Sequence, residues 1–147
     1  MSIDRFFQTL EHGFFHISQR LWPPDLALAW RDEAERIRAD IERHAQDLER
    51  EREDARILRE KVFKAEVHAT ILGSQIESWV FTGNQSKAWR EALELDQLRE
   101  NLHHNRKRLA KLENHCRTLV KVLQQQESRL ILLQLKLAES AKSRLPF

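Results

Sequence analysis

Histidine and cysteine are the side chains best suited to hold a metal ion or attack a substrate, and all but His44 and His68 gather in two places. His12 and His16 stand at i, i+4, the spacing that brings two imidazoles to one helical face. No third ligand shares that face, because Glu11 points to another side. His103, His104, His115 and Cys116 crowd a second region, but His104 and His115 lie roughly 16 Å apart along a helix. Cys116 falls on an apolar seam position, where a thiol serves as a small buried hydrophobe rather than a nucleophile. The chain holds three scattered glycines, too few for a phosphate-cradling loop. The sequence thus predicts no catalytic residue, no metal site and no cofactor.

A third candidate is electrostatic. The stretch "NRKRLAKLENHCRTLVK" sets Arg106, Lys107, Arg108, Lys111, Arg117 and Lys121 against Glu113. Such a stripe can touch phosphates of lipid or nucleic acid. No aromatic residue is interleaved for base stacking, and the net charge is only +2, so no nucleic-acid partner is expected. The acid-rich "DLEREREDAR" lies upstream, and charge pairing between the two stretches is the simplest expectation for the stripe.

Those residues must be carried by helices. Of 147 residues, 33% are charged, and there are three glycines and three prolines. So few turn formers argue for a few long helices, and no strand-like alternation appears. From Ala27, apolar residues recur every seven positions: Ala27, Ala34, Ile41, Leu48, Ala55, Val62, Ala69, Ile76. A second series, Trp30, Ile37, His44, Glu51, Leu58, Ala65, Leu72, Trp79, interleaves with it. Alternating steps of four and three are the heptad spacing of supercoiled helices.

After "TGNQS" the pattern resumes with Leu95, Leu102, Leu109, Cys116, Leu123, Leu130, Leu137 and with Leu98, Asn105, Leu112, Leu119, Gln126, Leu133, Ser140. The fold predicted is all-α: an antiparallel coiled-coil hairpin over 23–147, with arms at about 27–80 and 88–142 and a tip at 82–86. Gly83 is placed to end the first arm and Ser86 to cap the second. Trp79 should meet Trp89 beside the turn, and His44 should lie near Gln126. At about 1.5 Å per residue the arms would be on the order of 80 Å long.

Some apolar residues stand outside both series. Phe63, Val67 and Ile71 lie at i, i+4, i+8, next to the seam. In "RLILLQLKLAE", Ile131, Leu132 and Leu135 point away from it. A two-helix hairpin leaves them in water, and contiguous exposed apolar surface marks an interaction site. Other copies of the chain or another protein would cover these residues; the opening segment folding back is the alternative.

That opening segment, residues 1–22, holds four of the seven phenylalanines. On a helical wheel Ile3, Phe6, Phe7, Leu10, Phe14, Ile17 and Leu21 fall within about 100° of arc, and Phe15 and Trp22 widen the stripe. Pro23-Pro24 ends it, since proline lacks the N–H and restricts its predecessor. Such a helix can lie in a membrane interface, held by roughly 1.5–3 kcal/mol per buried large side chain. It can equally pack on the hairpin, and periodicity alone leaves both open. The single cysteine excludes an internal disulfide and fits a reducing compartment. The segment lacks the marks of a signal peptide, which points to the cytoplasm.

Several features together resemble the phage shock protein A family, which includes the vesicle-inducing plastid proteins and belongs to the ESCRT-III superfamily. "SIDRFF" is similar to that family's opening, Pro23-Pro24 stand where the family breaks the chain, and a long hairpin follows in both. "VFTGNQSKAWREAL" is similar to the family's hairpin tip, through Gly83, Asn84, Ala88, Ala92 and Leu93. Asn84-Gln85 stand where an acidic residue is common. The resemblance implies a non-enzymatic, self-assembling protein of the stress response. Such a protein binds, stabilises or remodels the inner face of a bilayer, peripheral on the cytoplasmic side. Residues 3–22 would meet lipid, and homo-oligomers or polymers would form. The rival expectation is a soluble coiled-coil adaptor or stalk protein of an export or scaffold assembly.

Overall fold

A computed structural model describes residues 24–142. It contains two helices that pack against each other, α1 (Pro24–Phe81) and α2 (Gln85–Lys142), and no strand among the described residues. Both begin a few residues before the expected arms, and the one interior glycine, Gly73, is too weak a breaker to interrupt α1. Of the glycines, Gly73 sits within α1 and Gly83 beyond its end.

The turn is compact, and its chemistry explains its position. Gly83 has φ of 79°, a left-handed conformation that only glycine adopts without strain. Its N–H donates to the Val80 carbonyl at 3.2 Å, and the Asn84 N–H donates to the Trp79 carbonyl at 2.9 Å. This double bond pattern is the Schellman motif, which satisfies carbonyls left over at a helix end. Thr82 Oγ1 also donates to the Ser78 carbonyl at 3.0 Å. Asn84 then starts α2: its Oδ1 accepts the Lys87 N–H at 3.3 Å. Asn84 is therefore the N-cap, not Ser86 as the sequence suggested. The glycine motif closes in fewer residues than expected, so the next polar side chain already sits at the cap position.

The described residues group into two compact units. Residues up to His44 and from Val122 onward form one, here called the split unit; Ala45–Lys121 form the other, the turn unit. In the split unit Ala34, Ile37 and Leu133 are buried together, with Trp30, Ile41 and Leu130 packed around them. Glu33 pairs with Arg129, and His44 Nδ1 lies 3.0 Å from Gln126 Oε1. Higher positions on α1 thus meet lower ones on α2, which makes the pairing antiparallel; the expected neighbourhood of His44 and Gln126 is present.

The turn unit repeats the arrangement with its own seam. Leu48, Ala55, Leu58, Val62 and Leu72 of α1 and Ala88, Leu95, Leu102 and Leu119 of α2 are buried. The remaining seam positions expected from the heptads are half-buried. No large side chain among the described residues is fully buried. Two helices cover a seam from two sides only, so both rims stay open to water, and complete burial requires a third layer.

Candidate functional site

No catalytic constellation appears among the described residues, and no group of three or more His, Cys, Asp or Glu gathers there as metal ligands. No described helix is long and apolar enough to cross a membrane. What the structure offers is surface, in three apolar places and one charged one.

The first apolar place is a row on α1 of the turn unit. Phe63, Val67 and Ile71 are 65%, 44% and 50% exposed. Steps of four residues put them one above another along a single face, about 6 Å apart. The seam neighbours Val62 and Leu72 are buried, so the row flanks a filled contact instead of entering it. Covering the row would contribute roughly 2 kcal/mol per side chain, at about 25 cal/mol per Å². Three side chains fall well short of the roughly 800 Å² per partner of a standard interface. The row therefore suits a weak contact repeated many times or joined to another.

The second place is on α2 of the split unit, where Ile131 and Leu135 are exposed and Leu132 is half-buried. The third is at the turn. Val80, Phe81, Trp89 and Leu93 are all exposed, Phe81 at 92%. Ala88, by contrast, is buried, and Ala92 is half-buried. The alanines let the arms approach, and the large residues point outward. The expected meeting of Trp79 with Trp89 gives way to other partners. The Trp79 indole N–H donates to Glu91 Oε2 at 3.0 Å, and Lys87 Nζ stands 4.4 Å from its ring centroid. Half-buried, Trp79 needs a polar partner for its N–H, and Glu91 supplies it; Trp89 is 70% exposed.

Sequence reasoning named Gly83, Asn84, Ala88, Ala92 and Leu93 at the tip, and Trp89 only as a neighbour of Trp79, but missed Val80 and Phe81. The signal was present: three large apolar residues around "VFTGNQSKAW" off both heptad series. The membrane-facing candidates Ile3, Phe6, Phe7, Leu10, Phe14, Phe15, Ile17, Leu21 and Trp22, with His12 and His16, lie outside the described residues.

The charged place meets an expectation only in part. The acids of "DLEREREDAR" were to neutralise the basic stripe of α2. Several of the α1 charges pair within α1 itself, and others reach across. Asp47 pairs with Arg50 at 2.8 Å, Glu53 with Arg56 at 2.8 Å, and Glu60 with Arg56 and Lys64. The Arg56 hydrogen bond holds the Glu53 carboxyl below its ordinary range, and Glu53 in turn raises Arg56. Acid and base at i, i+3 or i, i+4 are already neighbours, so pairing within a helix needs no partner helix. Across the turn unit, Arg59 meets Glu113 at 3.3 Å and Arg106 meets Glu66 at 2.6 Å. Glu51 Oε2 is buried 2.6 Å from His115 Nδ1, a close pair whose alignment is not that of a hydrogen bond. Arg117 donates to Asn114 Oδ1. Lys107, Arg108, Lys111 and Lys121 form no ion pair among the described residues. Cys116 is half-buried on the seam, with a free thiol.

The chain matches no protein-family model, and no curated protein or solved structure matches it.

Proposed function

We propose that this chain is a self-assembling, membrane-associated protein that binds, stabilises or remodels the inner face of a bilayer, in the manner of the phage shock protein A branch of the ESCRT-III superfamily. The observation that carries the assembly half is the row Phe63, Val67 and Ile71, exposed beside a seam that is already filled. Sister chains stacking sideways on this row, and on Ile131 and Leu135, supply the third layer that a two-helix pair lacks. The membrane half rests on the sequence of residues 3–22, whose phenylalanine-rich stripe has the character of an interfacial helix. The chain so placed is peripheral on the cytoplasmic side of the membrane and needs no catalytic group or cofactor.

Sedimentation with liposomes tests the membrane half. The full chain pellets with vesicles, and the chain lacking residues 1–22 stays in solution. Equal recovery of both in the supernatant would remove lipid from the proposal. Light scattering tests the other half: Phe63→Ser with Ile71→Ser lowers particle mass while circular dichroism keeps its helical signal. Ile131→Ser with Leu135→Ser does the same.

One observation favours a second reading, the soluble adaptor. Phe81 and Trp89 stand exposed at the turn, where a stalk protein would dock on its target. A chain that ignores vesicles, with or without residues 1–22, and remains monodisperse would turn the assignment to that reading.

A further inference from the structure

Beside the seam of the turn unit lies a groove of about 500 Å³. Its apolar lining is Ile57 and Leu58 of α1 and Leu112 of α2, and Lys61, Arg108 and Lys111 line it too. None of these three cations takes part in an ion pair among the described residues. Asp54 is the one carboxylate on the groove wall, and His115, also on the wall, is engaged with Glu51. Helix pairs usually set opposite charges across their rims. This pair does so at Arg59–Glu113 and at Arg106–Glu66. At the groove it sets Lys61 of one helix against Arg108 and Lys111 of the other. Like charges gathered over apolar side chains repel one another, and the cost grows as water is displaced. Nothing in the packing of the seam demands them, because rim positions tolerate any polar residue.

We infer that this groove is a binding site for a phosphate-bearing anion. A guanidinium and two ammonium groups match the charge and the several acceptor oxygens of a phosphate, with arginine offering the forked contact. The exposed side of Ile57 gives an organic substituent on that phosphate an apolar ledge. The same chemistry is presented by the headgroup of an anionic phospholipid and by a soluble phosphate compound. The site does not depend on residues 1–22, so it stands or falls apart from the membrane reading above.

The test uses the full chain and sodium pyrophosphate as probe, in thermal unfolding and calorimetric titration, with sodium chloride at matched ionic strength as reference. Pyrophosphate raises the Tm of the native chain above the chloride reference. Arg108→Gln with Lys111→Gln weakens pyrophosphate binding at least tenfold, while its Tm without ligand is equal or higher, since repulsion is relieved. Arg90→Gln with Arg99→Gln removes the same charge from α2 away from the groove and leaves binding unchanged. Equal responses to pyrophosphate and chloride would overturn the site, as would equal weakening by the two double variants. Vesicles of phosphatidylglycerol in phosphatidylcholine then identify the source of the phosphate. If pyrophosphate displaces the chain from them, and Arg108→Gln with Lys111→Gln loses the displaceable part, the ligand is a headgroup. If vesicle binding is indifferent to both while pyrophosphate still binds, it is a soluble phosphate.

Discussion

Asp47–Lys64 of α1 and Arg106–Lys121 of α2 belong to the same unit, flank the same seam and are both densely charged, yet their charges behave differently. In α1 acids precede bases by three or four residues, and Asp47–Arg50, Glu53–Arg56 and Glu60–Lys64 close within the helix, with Lys61 on the groove side left out of any ion pair among the described residues. In α2 the one acid of the stretch, Glu113, is taken by Arg59 across the seam, and the surplus of cations remains. The order of charges along a helix thus decides whether a surface is electrically finished. A finished face has little further to attract, whereas an unfinished one is available to a ligand. Neither face contributes much to holding the arms together, because exposed pairs are worth about 0–1 kcal/mol.

The largest expected effect tests that last statement. Leu102, 4% exposed, lies on the seam of α2 just before the basic stretch. Leu102→Ala should cost about 2–5 kcal/mol in chemical unfolding. A loss comparable to that of a surface pair would mean that the rims, not the seam, hold the unit. The next concerns the turn, which sets the register that brings Lys61 to Arg108 and Lys111. Nothing stands within 4 Å of a Cβ built at Gly83, so Gly83→Ala meets no clash, only the left-handed φ. It should cost about 1–2 kcal/mol, measured the same way. A neutral result would mean that the turn relaxes to another geometry at no cost.

A smaller pair of effects separates the two faces directly. Lys111→Glu should stabilise the unit by a few tenths of a kcal/mol at low salt, with the gain fading at high salt. Arg56→Gln, which breaks a finished face, should move stability the other way under the same conditions. If both substitutions shift it in one direction, the contrast between the faces fails. The smallest effect is a pH dependence. Glu53 has a lowered pKa in the folded chain, so its contribution is present above the unfolded carboxylate value and is lost as pH falls through the folded value. The Tm difference between Glu53→Gln and the native chain should therefore shrink on acidification; a difference that persists in acid would assign it to something other than the charge.

The register of the seam was readable because it is a local repeat: every position from Ala27 to Trp79 on the two heptad series is buried or half-buried. His44 and Gln126 met as expected for the same reason, since a turn at a known place and helices of constant rise leave one pairing open. The cap was misread by two residues, because a Schellman turn is shorter than the polar stretch that contains it. Trp79 and Trp89 were misread because level along the helix axes does not decide direction around them. The row Phe63, Val67 and Ile71 was visible as apolar residues off the seam, and the turn cluster with Phe81 could have been found by the same rule.

What the amino-acid sequence determined alone is what repeats at fixed spacing or depends on one residue's backbone: two long helices, their seam, and a turn at the glycine that can take φ of 79°. What only the tertiary structure decided is which charges meet. Acids three residues before an arginine and acids across a seam are equally plausible partners on paper. The choice follows from side-chain reach in three dimensions, and it leaves Lys61, Arg108 and Lys111 on one groove with no ion pair among the described residues and a single carboxylate, Asp54, on the wall.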